Sequence, residues 1–142
     1  MSTTKGAQEI TEAFQEVPQN VKLELLLEYS EALPTLPERY QDHPELLERV
    51  EECQSPVYLF VEVDAETIVH IFLSAPDEAP TTKGFASLLQ LALDKEKAAT
   101  VLSFDESFVD ALGITDLVSP LRIRGLQGML MRIKRQVKEK ML

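Results

Sequence analysis

Thiols are almost absent from this 142-residue chain, which holds one cysteine, Cys53. A single cysteine excludes an intramolecular disulfide and a multi-thiolate metal cage. Whatever the thiol does, it does alone, as a nucleophile or as a carrier of something small. Histidine is nearly as scarce, with only His43 and His70. His43 precedes a proline in a connector and reads as a surface residue. His70 shares strand parity with Ile68 and Phe72 and reads as a satisfied, partly buried side chain. A Cys–His hydrolase therefore lacks an evident base. The five glycines are scattered at positions 6, 84, 113, 125 and 128, so no glycine-rich phosphate loop is written here. No apolar run approaches the roughly 18 residues of a membrane span. The start, Met1 to Gly6, lacks the apolar core of a secretory signal. With a lone unpaired thiol, these absences predict a cytoplasmic protein with no membrane partner.

Basic residues are missing where acidic ones abound. Residues 1–80 carry 17 acidic and 4 basic side chains, and the net charge of the whole chain is −10. Such a chain repels phosphate backbones, which argues against a nucleic-acid partner. Residues 119–142 reverse the sign, with 7 basic and 1 acidic side chain. Arg132, Lys134, Arg135, Lys138 and Lys140 fall late in an expected helix, where cations complement the macrodipole. That reading makes them a solvated face, with a docking surface for an acidic partner as the alternative.

The apolar pattern predicts helices over 9–33, broken at Pro18, with Ile10, Phe14 and Val17 and then Val21, Leu25, Leu26 and Tyr29 at helical spacing. Pro34 and Pro37 end the second helix in an irregular connector to Pro44, and His43-Pro44 opens a short helical turn. Val57–Val63 and Ile68–Leu73 read as an antiparallel hairpin about Asp64-Ala65-Glu66. Leu47–Val50 adds a brief third strand. A helix follows from about Thr81 to Leu93, with Thr81 or Thr82 as its N-cap. Ala98–Leu102 and Phe104–Leu112 are short helices, the second ended by Gly113. Ser119-Pro120 opens the last helix, whose core stripe is Leu126, Met129, Leu130, Ile133 and Val137. The fold class is α+β, a small three-stranded antiparallel sheet packed against several helices.

Cys53 lies in Glu51-Glu52-Cys53-Gln54-Ser55-Pro56, before the apolar run Val57–Val61. Polar flanks place it in a loop, and whether that loop rests buried or exposed is not written in the sequence. The thiolate is the reactive form and neighbouring anions disfavour it, so Glu51 and Glu52 are expected to raise the thiol pKa unless a cation folds against the loop.

Three blocks carry a family resemblance. Cys53-Gln54-Ser55-Pro56-Val57-Tyr58 enters a strand, Thr81-Thr82-Lys83-Gly84-Phe85 starts a helix, and Ser119-Pro120-Leu121-Arg122-Ile123-Arg124-Gly125-Leu126 starts another, followed by Met129 and Arg132-Ile133. In this order and spacing the chain resembles the SufE-type cysteine desulfuration proteins, over about residues 10–137. The resemblance implies one SufE/IscU-like domain over 1–142, with residues 1–8 disordered. It implies that Cys53 takes persulfide sulfur from a SufS-like cysteine desulfurase, stimulates that enzyme, and passes the sulfur to an iron–sulfur scaffold complex. The pyridoxal phosphate would belong to the desulfurase, leaving no cofactor here and making the chain a sulfur-transfer partner rather than an enzyme. Arg122 matches the family's arginine near the cysteine loop, where it could stabilise a thiolate or persulfide. Its alternative is a helix-start arginine bonded to a loop carboxylate. Glu78 falls where an acidic residue often lies. Lys83 and Gly84 match a motif whose glycine close helix–sheet packing explains. Glu52 departs from the family's usual glycine, making the loop stiffer and more negative.

Two other classes stand beside the acceptor. A non-covalent activator or adaptor of a desulfurase would need the surface but not the thiol. An independent thiol enzyme, a peroxidase or hydrolase, would need a base that the chain does not supply.

Overall fold

The computed structural model describes residues 3–141, and residues 1, 2 and 142 lie outside that description. Helix α1 spans Lys5–Glu16 and α2 spans Lys22–Ser30, joined by a 3-10 turn at Gln19–Val21 after Pro18. The first helix starts four residues earlier than its apolar stripe suggests, because Thr4 caps it. Thr4 Oγ1 accepts from the Ala7 amide at 3.0 Å and donates to the Ala92 carbonyl at 2.6 Å. The disorder expected over 1–8 therefore gives way to a capped, docked helix from Thr4 onward. The part of that expectation covering residues 1 and 2 falls outside the described residues.

Strands β1 (Glu48–Arg49), β2 (Tyr58–Val63) and β3 (Val69–Ser74) form one antiparallel sheet in the order β1-β2-β3. This is the α+β architecture expected, with β1 cut to two residues. Leu59 and Val61 of β2 and Val69, Ile71 and Leu73 of β3 bury one face. On the other face the Tyr40 ring, carried by the connector after α2, lies 5.4 Å from Phe60 and 5.2 Å from Phe72. His70 sits on that second face, with Nε2 3.0 Å from Asp64 Oδ2. It is satisfied and partly buried, as its parity suggests.

The β3 edge is covered by the turn that follows α3, with an isolated bridge pairing Ile68 and Lys97, and β2 beyond the short β1 is covered by α6, which removes a pairing hazard. On β3, Asp94 Oδ1 accepts from the Ile71 amide at 2.8 Å and the Glu96 carbonyl accepts from the Val69 amide at 2.8 Å. On β2, beyond the short β1, Gln136 Oε1 accepts from the Val61 amide at 2.8 Å.

Helix α3 (Pro80–Leu93) begins at Pro80, so Thr81 and Thr82 lie inside its first turn and neither caps it. Proline's fixed φ supplies the helical start without a side-chain cap. Helices α4 (Ala98–Leu102) and α5 (Phe108–Ala111) follow. The second is shorter than its apolar run because Asp105 Oδ1 takes the Ser107 amide at 2.9 Å, a local bond that competes with helix. Helix α6 (Pro120–Lys140) is capped by Ser119 Oγ, which accepts from the Arg122 amide at 3.3 Å.

Gly84 packs differently from the expectation. Its neighbour is α2, not the sheet: a Cβ built there would come within 2.7 Å of the Leu26 carbonyl oxygen. Gly84→Ala should therefore destabilise the fold by about 1–3 kcal/mol in denaturant unfolding, as overpacking does. Helix propensity alone would stabilise it by about 1 kcal/mol. A gain in stability would show that α2 and α3 separate freely.

Candidate functional site

Cys53 lies in the loop joining β1 to β2. The Val50 amide donates to the Val57 carbonyl at 2.9 Å, and the Cys53 amide donates back to the Val50 carbonyl at 3.1 Å. These bonds fold the loop over α6, and Cys53 is left only 8% exposed. Close approach is possible because α6 is glycine where the loop rests. A Cβ on Gly125 would lie 2.9 Å from Cys53 Sγ, and one on Gly128 would lie 2.6 Å from a Glu52 carboxylate oxygen. Here the two glycines are required by contact, not by backbone angle.

One turn further along the same face stands Arg132. Its Nε donates to Glu52 Oε1 at 2.8 Å and its Nη2 to Glu52 Oε2 at 3.2 Å, a two-pronged grip. Its Nη1 donates to Glu48 Oε2 at 2.7 Å. Glu48 Oε1 also accepts from Arg135 and, at 2.9 Å, from Gln136 Nε2. Partial burial opposes the charged form of Glu48, but the bonds from Arg135, Arg132 and Gln136 overcome it and hold the carboxyl at about 2. Glu52 is likewise held below the usual carboxylate range, chiefly by Arg132.

These contacts correct in part the reading of the C-terminal bases as a solvated face: Lys138 is exposed as expected, while the other four reach back to the protein. Arg132 and Arg135 bind β1 and the cysteine loop, Lys134 Nζ donates to the Phe104 carbonyl at 2.6 Å, and Lys140 donates to the Val61 carbonyl. Lys140 Nζ also sits 3.7 Å above the Phe60 ring.

The thiol is pushed up to about 11, first by burial and then by the Glu52 charge, with Arg132 and Arg49 pulling the other way. The direction agrees with the acidic flanks, but the larger cause is desolvation. A rise from 9.0 to about 11 leaves roughly 100-fold less thiolate at neutral pH than an ordinary thiol has. Alkylation of the folded protein by iodoacetamide is expected to climb about tenfold per pH unit through pH 9 and beyond. A plateau near pH 8.5 would refute the raised pKa.

Cys53 opens onto a cleft of about 140 Å³ lined also by Gln54, Ser55, Glu78, Ala79, Pro80, Thr82, Leu121, Arg122 and Gly125. The structure thus brings Arg122 and Glu78, both exposed, to the thiol. Among the described residues no hydrogen bond or ion pair holds the Arg122 guanidinium, so it is not bonded to a loop carboxylate. Lys83 is elsewhere, with Nζ 2.6 Å from Asp77 Oδ1. Neither histidine lines the cleft, and His43 Nδ1 is 2.9 Å from Glu45 Oε2. Among the described residues, no three His, Cys, Asp or Glu side chains gather where they could hold a metal ion. No helix among them is long and apolar enough to cross a membrane.

Sequence reasoning named Arg132 only as one of the C-terminal bases and part of a motif, and it missed the roles of Arg132, Glu48 and Gly128 in seating the loop. Their signal was the spacing Gly125, Gly128, Arg132, which is i, i+3, i+7 on one helix face. Nothing local in the sequence says that this face meets Glu52.

Comparisons with known proteins bear on the family and the fold. The SufE family, described as an Fe-S metabolism associated domain, matches residues 8–137. An uncharacterized SufE-like protein of Mycobacterium tuberculosis is 46% identical over 131 residues, covering 92% of this chain and 90% of the relative. The SufE-like protein 1, chloroplastic/mitochondrial, of Arabidopsis thaliana is 31% identical over 87% of this chain, which spans only 32% of that longer protein. The solution structure of a hypothetical protein from Thermus thermophilus superposes with a TM-score of 0.84 at 33% identity, covering 99% of this chain and 98% of that one.

Proposed function

The chain belongs to the SufE family, and from that premise we propose that it accepts sulfur on Cys53 from a cysteine desulfurase. Family membership is consistent with a sulfur-transfer role beside such an enzyme. The observation that carries the finer reading is the position of the chain's one thiol. Cys53 opens onto a cleft whose rim bears the exposed Arg122 guanidinium, which among the described residues has no hydrogen-bond or ion-pair partner.

In this reading the Cys53 thiolate attacks the terminal sulfur of a persulfide on the desulfurase, by analogy with thiol–disulfide exchange. A new S–S bond forms on Cys53 while the desulfurase S–S bond breaks. The desulfurase cysteine leaves as a thiolate and takes up the proton that Cys53 lost. No external oxidant is needed. Arg122 would stabilise the persulfide anion, with its charge fixed at any relevant pH. Pyridoxal phosphate would act on the desulfurase, and the loaded sulfur would pass to an iron–sulfur scaffold. A reducing, cytoplasmic compartment suits a lone free thiol.

Incubation with a pyridoxal-dependent cysteine desulfurase and cysteine, without reductant, is expected to add about 32 Da to the intact mass, one sulfur by exchange. The gain should map to Cys53 and vanish on reduction. No gain opposite a desulfurase proven to carry its own persulfide would refute the acceptor reading. The burial of the resting thiol favours one alternative, a non-covalent activator that presents only its surface.

A further inference from the structure

Loop 50–57 has one charged side chain tied to the helix beneath it, and that side chain is Glu52. Its neighbour Glu51 is exposed. Glu52 lies over Gly128, where any Cβ would collide with its carboxyl group, and Arg132 grips both its oxygens at 2.8 and 3.2 Å. On its other side, Cys53 lies over Gly125 in the same seat. Glycine inside a helix is unfavourable, and α6 has two, Gly125 and Gly128, on the face that the loop covers. The guanidinium is itself oriented by its third bond, to Glu48 on β1.

We propose that Arg132 is a positioning residue that latches the Cys53 loop shut through Glu52, so that releasing this ion pair exposes the sulfur. Arg132 does not touch the sulfur's reaction partner; it acts through Glu52 on where Cys53 rests. The Glu52 and Arg132 side chains are 24% and 21% exposed, open enough for salt to weaken the grip. The functional consequence rests on Cys53 being the reacting thiol, as proposed above. The latch itself can be measured with no desulfurase present.

A purely electrostatic role for Arg132 makes the opposite prediction. As a cation near the thiol it favours the thiolate, so its removal by charge alone would slow alkylation. A latch makes removal speed alkylation, because the loop opens more often.

The test compares iodoacetamide labelling of Cys53 in the folded full chain, wild type against Arg132→Gln and Arg132→Lys, at low and at molar sodium chloride. At fixed pH in low salt, Arg132→Gln is expected to label roughly tenfold faster, which converts to about 1.4 kcal/mol of opening free energy. Arg132→Lys, which keeps the charge but not the fork, should fall between. Molar salt should accelerate the wild type and leave Arg132→Gln nearly unchanged. Labelling of Arg132→Gln at or below the wild-type rate, or a wild type indifferent to salt, overturns the latch. If circular dichroism shows Arg132→Gln unfolded, the wild-type salt response and Arg132→Lys decide the matter. Fast labelling of Arg132→Gln without any persulfide gain on the wild type sinks the acceptor reading and keeps the latch. The reverse pattern does the opposite.

Discussion

Cys53→Ser is expected to lose sulfur loading completely while keeping the fold. A hydroxyl cannot carry the sulfane sulfur, and no other thiol in the chain can substitute. Structurally the change is small. The loop is shaped by main-chain bonds at Val50, Cys53, Ser55 and Val57, and a buried hydroxyl in place of the thiol costs about 1–3 kcal/mol. The variant separates the two surviving readings. Stimulation of a desulfurase by Cys53→Ser, with loading lost, would leave the non-covalent activator standing. Loading that persists would sink the assignment of Cys53. The variant also carries a pH signature. Because folding raises the thiol from 9.0 to about 11, its contribution to stability is intact below about pH 9 and fades as pH rises through 11. The serine variant lacks that alkaline loss.

Glu48→Gln is expected to destabilise the protein by roughly 3 kcal/mol at pH 7, the size implied by a carboxyl lowered from 4.5 to about 2. Glu48 takes bonds from Arg132, Arg135 and Gln136 at once, and its side chain is only 23% exposed, so solvent screens the cluster incompletely. Removing the charge leaves two guanidiniums facing a neutral amide. The depressed pKa sets the sign: the stabilisation is present above pH 4.5 and is lost as pH falls through about 2. Urea unfolding of wild type and variant should therefore differ at neutral pH and converge toward pH 2. Equal stabilities at pH 7 would mean that Glu52 and Glu139 suffice to hold the two arginines.

The helices, the hairpin and the lone reactive-type residue were legible because each is written locally. Helical spacing from Ile10 to Tyr29, alternation across 69–73, and Ser119-Pro120 at a helix start are signals within a few residues of one another. Where the reading failed, a longer contact had intervened. Thr4 extends α1 by docking on Ala92 across 88 residues, and Gly84 answers to Leu26 on another helix.

By itself, then, the sequence determined the secondary elements, the α+β class and Cys53 as the one thiol available for sulfur chemistry. Tertiary structure alone decided that the thiol rests buried, that the Arg122 expected beside it is not bonded to a loop carboxylate, and that Arg132 is the cation gripping its loop. The physical reason is the pairing of charges. With 24 acidic and 14 basic side chains, charge selects no partner, and local periodicity is silent across the 80 residues between Glu52 and Arg132. Only packing of the β1–β2 loop on the glycine face of α6 makes that pair.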